Sequence, residues 1–207
     1  KISKYIKDLI SKGIFIIPNS SKTKNEIDSF NKELDEDLPF IVENGAAIYN
    51  LNLINASFPE KISLSREISE ILDIFNNKIS KKYKSKCKFI KNLTSDKQLQ
   101  IFGQSKEKVK LAMKREYSIP LLYDGSKAEK VDLIKSVNNA GLSLHEGGRL
   151  INLCDKISKS QAMKHVVKIF KKISKEELIT VGVGDNFNDL DMLKNSDIPC
   201  LVFNDKF

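Results

Sequence analysis

A short apolar segment that runs directly into a glycine and two acidic residues constrains this chain most. Residues 179–183 are mainly hydrophobic, and Gly184, Asp185 and Asp189 follow them. An apolar run that ends in polar residues before a helical pattern is typical of a strand in an open α/β sheet, where ligands bind at the carboxyl ends of strands. Carboxylates are the hard oxygen donors that Mg²⁺ takes. The loop therefore predicts a metal site, with a turn that only caps the next helix as the alternative.

The amino-terminal third predicts a strand, a helix and a second strand. Residues 14–17 and 40–42 are apolar runs of strand length. Between them, Thr23 and Glu26 have the spacing of a capping box, which predicts the start of a helix. This order, with wholly apolar strands, indicates a parallel sheet covered by helices on both faces.

The middle of the chain has a different pattern, which predicts an inserted domain. Between residues 51 and 148, polar helical segments alternate with short strands, and Ser126 and Glu129 have the spacing of a second capping box. We therefore predict an α/β fold. Its core is a three-layer, parallel-sheet (Rossmann-like) domain made of residues 1–50 and 149–207, and residues 51–148 form the inserted α+β domain.

The composition excludes several classes of protein. Hydrophobic residues make up 41% of the chain, but no apolar run approaches the roughly 20 residues of a membrane span. Cys87, Cys154 and Cys200 are far apart, which argues against a zinc site or a disulfide framework and indicates a cytoplasmic location. No signal peptide is visible. Because the chain begins with Lys1 and not with Met, we expect its natural amino terminus to lie upstream.

The net charge of +8 raises nucleic acid as a partner. Arg66, Arg115 and Arg149 are the only arginines, and the lysines are scattered, whereas proteins that read duplexes usually cluster basic residues with a bias to arginine. We therefore expect neither a nucleic-acid partner nor a membrane. The positive field favours a small anionic substrate, and the oligomeric state is open.

Three predicted loops are expected to meet at the carboxyl edge of the sheet. They carry Ser20, Lys159 and the acidic pair that follows residue 183. A hydroxyl, an ammonium and a metal held by carboxylates are what a phosphoryl group needs around it. Ser20 alone is commonly a turn residue and Lys159 alone a surface lysine. Their order relative to the predicted strands is what singles them out.

Several segments resemble the haloacid dehalogenase-like phosphatases with a large inserted cap, and more closely the mannosyl-3-phosphoglycerate phosphatase group. Ser20 takes the position of the phosphate-binding Ser or Thr of that group. Lys159 opens a segment similar to the third motif, Lys-Gly-x-Ala, with Ser160 in place of Gly. The similar segments are 13–23, 39–49, 147–149, 159–163 and 184–193.

The resemblance implies a Mg²⁺-dependent phosphomonoester hydrolase that releases phosphate from mannosyl-3-phosphoglycerate through a phospho-aspartyl intermediate. Ser20 and Lys159 are the implied catalytic residues, because they hold the phosphoryl oxygens. Asp185 is an implied direct metal ligand, and Asp189 binds the metal directly or through water. The implied substrate-binding residues are Ser20, Ser21, Lys22, Arg149 and Lys159.

Arg149 follows two glycines and is a candidate for binding a substrate carboxylate, because a guanidinium group matches a carboxylate in shape and charge. A surface salt bridge is the alternative for this residue.

The nucleophile of that family, the first Asp of an Asp-x-Asp motif at the end of the first strand, has no counterpart in this sequence. Residues 35–37 have the spacing but follow a helical pattern, and residues 189–191 belong to the acidic loop. We therefore expect a fragment that is inactive by itself, with the nucleophile upstream. The alternatives are a general sugar-phosphate phosphatase, or a non-catalytic metal- or phosphate-binding protein if the natural chain begins at Lys1.

Overall fold

A computed structural model describes residues 2–146, 150–173 and 177–203, apart from the side chains of Ile2 and Phe187. The chain divides into two compact units. The insert unit comprises Lys1–Asp8, Lys22–Asp37 and Ser65–Lys156, and the core unit comprises Leu9–Ser21, Leu38–Leu64 and Ile157–Phe207.

These units differ from the domain boundaries that the sequence suggested at residues 50 and 149. The segment Lys22–Asp37 belongs to the insert unit, and the chain re-enters the core unit only at Ile157. The functional domains of the protein remain a proposal.

Nine helices and nine strands are found in the described part of the chain. The helices are α1 (Ile2–Ser11), α2 (Lys24–Leu34), α3 (Ile68–Lys78), α4 (Lys81–Lys84), α5 (Ser95–Phe102), α6 (Lys106–Ala112), α7 (Lys127–Asn139), α8 (Lys159–Phe170) and α9 (Leu190–Lys194). The strands are β1 (Phe40–Val42), β2 (Ala47–Tyr49), β3 (Lys61–Ser63), β4 (Cys87–Phe89), β5 (Ser118–Tyr123), β6 (Leu142–Glu146), β7 (Ile151–Asp155), β8 (Val181–Gly184) and β9 (Ile198–Leu201).

The core unit contains both antiparallel and parallel pairing. Strands β1, β2 and β3 form an antiparallel sheet in that order, and β8 pairs with β9 in parallel. Apolar side chains of β1, β2 and α8 pack together, and the ring of Phe170 lies 5.3 Å from that of Phe15. The buried members of this cluster are Ile41, Ile48, Leu51, Ala162, Val166 and Phe170.

The strand predicted at residues 14–17 was placed too early. Those residues have no strand pairing in the described structure, and the pairing begins at Asn19, which forms an isolated parallel bridge with Ile41. Ile14 and Phe15 are half exposed, so their apolar character does not mark a buried strand. The predicted strand at residues 40–42 is confirmed as β1.

The insert unit is built on a four-stranded antiparallel sheet in the order β4-β5-β7-β6. Helices α3 and α7 cover one face of it, and the buried core includes Phe75, Leu133 and Leu153. Strand β7 pairs with β5 and β6, which is why residues 151–155 belong to this unit. Both predicted capping boxes are confirmed, at Thr23 and at Ser126.

The described residues contain no helix that is both long and apolar enough to cross a membrane. The thiols of all three cysteines are free.

Candidate active site

A buried ion pair joins Lys159 and Asp189 in the core unit. Helix α8 begins at Lys159 because Ser158 caps it and forms a capping box with Gln161. The Nζ of Lys159 lies 2.6 Å from Oδ1 of Asp189, and the two side chains are only 10% and 7% exposed. Two charges are stable at such depth only when their hydrogen bonds compensate for lost hydration. This pair is therefore a strong constraint on the local structure.

The second carboxylate oxygen of Asp189 is bound by the loop that follows β8. The backbone N–H groups of Asp185 and Asn186 each donate to Oδ2 of Asp189 at 3.2 Å. The N–H of Asp189 in turn donates to the carbonyl of Asn186 at 2.9 Å. Both carboxylate oxygens therefore already have protein donors, and Asp189 acts in this structure as the partner of Lys159 and of the loop backbone.

Gly184 is needed where β8 passes this carboxylate. A Cβ at residue 184 would lie 2.5 Å from Cβ of Asp189 and 2.8 Å from its Cγ. Contacts this short do not occur, so any larger residue would displace Asp189. The absence of a side chain at residue 184 therefore leaves room for the side chain of Asp189.

Asp185 is the exposed carboxylate of the loop and lies directly after β8. The described residues contain no group of three or more His, Cys, Asp or Glu side chains that could hold a metal ion. Mg²⁺ commonly takes only one or two protein carboxylates and keeps several waters. Asp185 fits that mode as a direct ligand. Asp189, which was expected to bind the metal directly or through water, accepts hydrogen bonds from Lys159 and from the loop backbone. The metal site itself stays a prediction.

The segment that carries Ser20 is fixed to β1 by backbone hydrogen bonds. The N–H of Ile41 donates to the carbonyl of Pro18 at 2.7 Å, and the N–H of Ser20 donates to the carbonyl of Ile41 at 3.0 Å. The N–H of Asn44 donates to the carbonyl of Ser20 at 2.9 Å. Ser20 therefore has a defined backbone position, and Ser21 continues this segment.

The turn between β1 and β2 packs against the start of α8. Glu43 and Asn44 are buried and have left-handed φ angles of 47° and 62°, and Gly45 has a φ of 104°. A Cβ on Gly45 would lie 2.3 Å from the carbonyl oxygen of Ser158. The turn thus sits directly on the residue that caps the helix of Lys159. In the sequence, only the resemblance of residues 39–49 pointed to it.

Lys22 and Arg149 are the remaining predicted substrate-binding residues. Lys22 belongs to the insert unit and is half exposed, and its Nζ lies 3.2 Å from Oε1 of Glu26. Its expected role in substrate binding stays a prediction. Arg149 lies outside the described residues, as do the two glycines before it.

The contribution of Asn19 was missed in the sequence. Its side-chain Nδ2 donates to the carbonyl oxygen of Lys159 at 3.0 Å. The residue lies in a segment that reads as a polar loop, and the only available signal was that it directly precedes Ser20.

Comparison with known proteins identifies the family. The sequence model described as haloacid dehalogenase-like hydrolase matches residues 1–206. The chain is 34% identical to a glucosyl-3-phosphoglycerate/mannosyl-3-phosphoglycerate phosphatase from Persephonella marina, over 92% of this chain and 73% of that protein. It is 29% identical to a mannosyl-3-phosphoglycerate phosphatase from Pyrococcus horikoshii, over 95% of this chain and 81% of that protein.

A solved structure of a phosphatase of the haloalkanoate superfamily from Bacteroides thetaiotaomicron has the same fold. Its TM-score is 0.66 at 15% identity, and the match covers 99% of this chain and 77% of that chain. The chain belongs to the haloacid dehalogenase-like hydrolases. The predicted fold class, an α/β Rossmann-like core with an inserted cap, is confirmed, and so is the predicted class of enzyme, a phosphatase.

Proposed function

We propose that the protein, in a chain that carries the family's nucleophile, is a Mg²⁺-dependent phosphatase that hydrolyses a glycosylated 3-phosphoglycerate such as mannosyl-3-phosphoglycerate. The observation that carries the site assignment is the buried contact of 2.6 Å between Lys159 and Asp189. The relatives named for this substrate, one of them 34% identical, support its choice.

Lys159 would neutralise charge on the phosphoryl oxygens. Its ammonium group has three donors, and Asp189 takes one of them. The others can serve an anion that enters beside the pair. Because the ammonium is held by a carboxylate that two backbone N–H groups also bind, it would need little reorganisation during the reaction.

Ser20 would donate its hydroxyl to a second phosphoryl oxygen. The three backbone hydrogen bonds around residues 18–20 give this hydroxyl a fixed starting point. Asp185 would hold Mg²⁺, which when bound supplies positive charge that screens the phosphate from an attacking carboxylate. The attack itself belongs to the family's Asp-x-Asp motif at the end of the first strand. Residues 35–37 and 189–191 have that spacing but do not stand at that position.

The substrate is tested by phosphate release from the full-length gene product. We expect faster release from mannosyl-3-phosphoglycerate than from 3-phosphoglycerate or mannose 6-phosphate, and loss of activity on chelation that Mg²⁺ restores. Equal rates with free sugar phosphates would favour a general sugar-phosphate phosphatase. Failure to release phosphate from any ester at saturating Mg²⁺ would contradict the proposal.

The metal role of Asp185 is tested by the Mg²⁺ concentration that gives half-maximal activity. We expect Asp185→Asn to raise this concentration about tenfold or more, because a charged metal ligand is lost. Glu60→Gln is the matched control, since it removes an exposed carboxylate of the same unit. An unchanged Mg²⁺ requirement in Asp185→Asn would remove Asp185 from the metal site.

A further inference from the structure

One amide side chain in the core unit contacts two distant segments, while its own backbone pairs with a third. The backbone of Asn19 forms a parallel bridge with Ile41 of β1. Its Nδ2 donates to the carbonyl of Lys159 at 3.0 Å and lies 3.5 Å from Sδ of Met192. These two partners are 140 and 173 residues away along the chain.

Both partners belong to the helices that bring Lys159 and Asp189 together. Lys159 is the first residue of α8, and Met192 is buried in α9, which begins directly after Asp189. A single side chain thus touches both elements whose residues form the buried ion pair. Movement of either helix would break its contacts.

The chemistry of the two partners fixes the orientation of the amide. A carbonyl oxygen accepts hydrogen bonds, and a thioether sulfur is at most a weak acceptor, so the nitrogen of Asn19 must face them. Its Oδ1 is consequently buried, and it has no hydrogen-bond partner within the described ranges. An unpaired buried amide oxygen is unfavourable, and an apolar residue would avoid it. The hydrogen bond that Nδ2 donates to Lys159 is the favourable contact that opposes this cost.

We propose that Asn19 is a positioning residue of the phosphatase. Ser20 is the next residue, and its backbone is held by Ile41 and Asn44. Through the hydrogen bond to Lys159, Asn19 fixes the start of α8 relative to Ser20, and so sets the spacing of the two groups proposed to hold the phosphoryl oxygens. This inference rests on the function proposed for Ser20 and Lys159.

The test compares Asn19→Ala and Asn19→Asp with the wild type in the full-length gene product, with a chromogenic aryl phosphate as substrate. Alanine removes the donor, and aspartate keeps the size but places an acceptor against the Lys159 carbonyl. We expect kcat/KM to fall by about tenfold to a hundredfold in both variants, as for other small misplacements of reacting groups. The affinity for inorganic phosphate in the presence of Mg²⁺, measured by calorimetry, should weaken in parallel.

Asn195→Ala is the matched control. The Nδ2 of Asn195 also donates to a carbonyl, that of Asp191 at 2.7 Å. Asp191 belongs to α9 and Asn195 caps its end, so this hydrogen bond joins no distant segments. This variant should keep the kinetic constants of the wild type. Circular dichroism and thermal unfolding of all variants separate a loss of folded protein from a loss of activity per folded molecule.

Wild-type kinetics and phosphate affinity in Asn19→Ala would overturn the proposal. So would a loss of activity that only follows the loss of folded protein, or a failure of both variants to fold, because Asn19 would then serve stability alone. Failure of the substrate assignment would look different. The wild type would cleave the aryl phosphate but not mannosyl-3-phosphoglycerate, and the Asn19 comparison would still be decisive.

Discussion

The ammonium nitrogen of Lys159 lies 2.6 Å from Oδ1 of Asp189, and neither side chain is more than 10% exposed. The two residues come from the first turn of α8 and from the loop that leads into α9. Three segments contact this pair or the residue before it. Asn19 donates a hydrogen bond to the carbonyl of Lys159, the turn at Gly45 packs against Ser158, and the acidic loop donates to Asp189.

Breaking this pair should lower the stability of the folded protein. Lys159→Met leaves the carboxylate of Asp189 buried with only backbone donors. We therefore expect the free energy of unfolding to fall by about 3–5 kcal/mol. The double variant Lys159→Met/Asp189→Leu should regain much of that loss, because no uncompensated charge remains. Urea unfolding followed by circular dichroism measures the free energy of unfolding of the single and the double variant.

The control for this experiment is Lys164→Met, an exposed lysine on the same helix. It should change stability by no more than about 0.5 kcal/mol. If Lys159→Met were as mild as this control, the pair would not be the constraint that its burial indicates.

Gly184→Ala should damage the site directly. The added Cβ would lie 2.5 Å from Cβ of Asp189, so the carboxylate must move away from Lys159 or from the loop N–H groups. We expect a loss of at least about tenfold in kcat/KM and a destabilisation of about 1–3 kcal/mol, as for other overpacked positions.

Gly182→Ala gives the comparison for this prediction. Its added Cβ would lie 2.3 Å from the hydroxyl oxygen of Ser196, which can rotate, so the effect on activity should be smaller. Equal activity losses in the two variants would show that the strand as a whole, rather than the contact with Asp189, is sensitive to added bulk.

Gly45→Ala should destabilise the protein more than Gly13→Ala does. Both Gly45 and Gly13 have such angles, 104° and 78°, but only Gly45 has a close neighbour, the carbonyl oxygen of Ser158 at 2.3 Å from an added Cβ. Gly13→Ala should cost about 1–2 kcal/mol from backbone conformation alone.

The excess destabilisation of Gly45→Ala over Gly13→Ala measures the packing of the turn on α8. Denaturant unfolding of both variants gives this difference. An excess near zero would mean that the turn adapts to the added methyl group, and that it does not fix the start of the Lys159 helix.

Asp155 should make the stability of the insert unit depend on pH. Burial raises the pKa of its carboxyl group, but hydrogen bonds from the Arg66 side chain and backbone outweigh burial, so the pKa lies below its usual value. Nε of Arg66 donates to Oδ2 of Asp155 at 2.9 Å, and its backbone N–H donates to the same oxygen at 3.0 Å.

Because the folded state holds the carboxylate form, this stabilisation is fully present above the unfolded pKa of about 3.9 and is lost as the pH falls through the lower folded value. Asp155→Asn should therefore be less stable than the wild type at pH 7, and the difference should shrink below about pH 4. Urea unfolding at a series of pH values measures it.

Asp124→Asn serves as the control for the pH series. Asp124 pairs with Lys88 at 2.7 Å, but both side chains are mostly exposed, so this pair should contribute little at any pH. A difference between wild type and Asp155→Asn that stayed constant from pH 7 to pH 3 would contradict the assignment to this ionisation.

Local patterns in the sequence determined much of the fold. Hydrophobic runs and capping residues act over a few neighbouring positions, so the capping boxes at Thr23 and Ser126, the strand β1 and the start of α8 near Lys159 could all be read from the chain. Gly184 at the end of β8 and the acidic residues that follow it could be found for the same reason. The exception at residues 14–17 shows the limit, because an apolar run does not say whether a partner strand lies beside it.

Only the tertiary structure decided which of these helices, strands and loops contact one another. Asn19 contacts Lys159 across 140 positions, and the buried contact between Lys159 and Asp189 joins residues 30 positions apart. The predicted role of Asp189 at a metal, directly or through water, stays a prediction. The role of Gly45 likewise appears only when Ser158 lies against it. A local pattern fixes where a strand or helix begins, but the energy of a buried polar contact depends on which distant group reaches it and on how much water is excluded there.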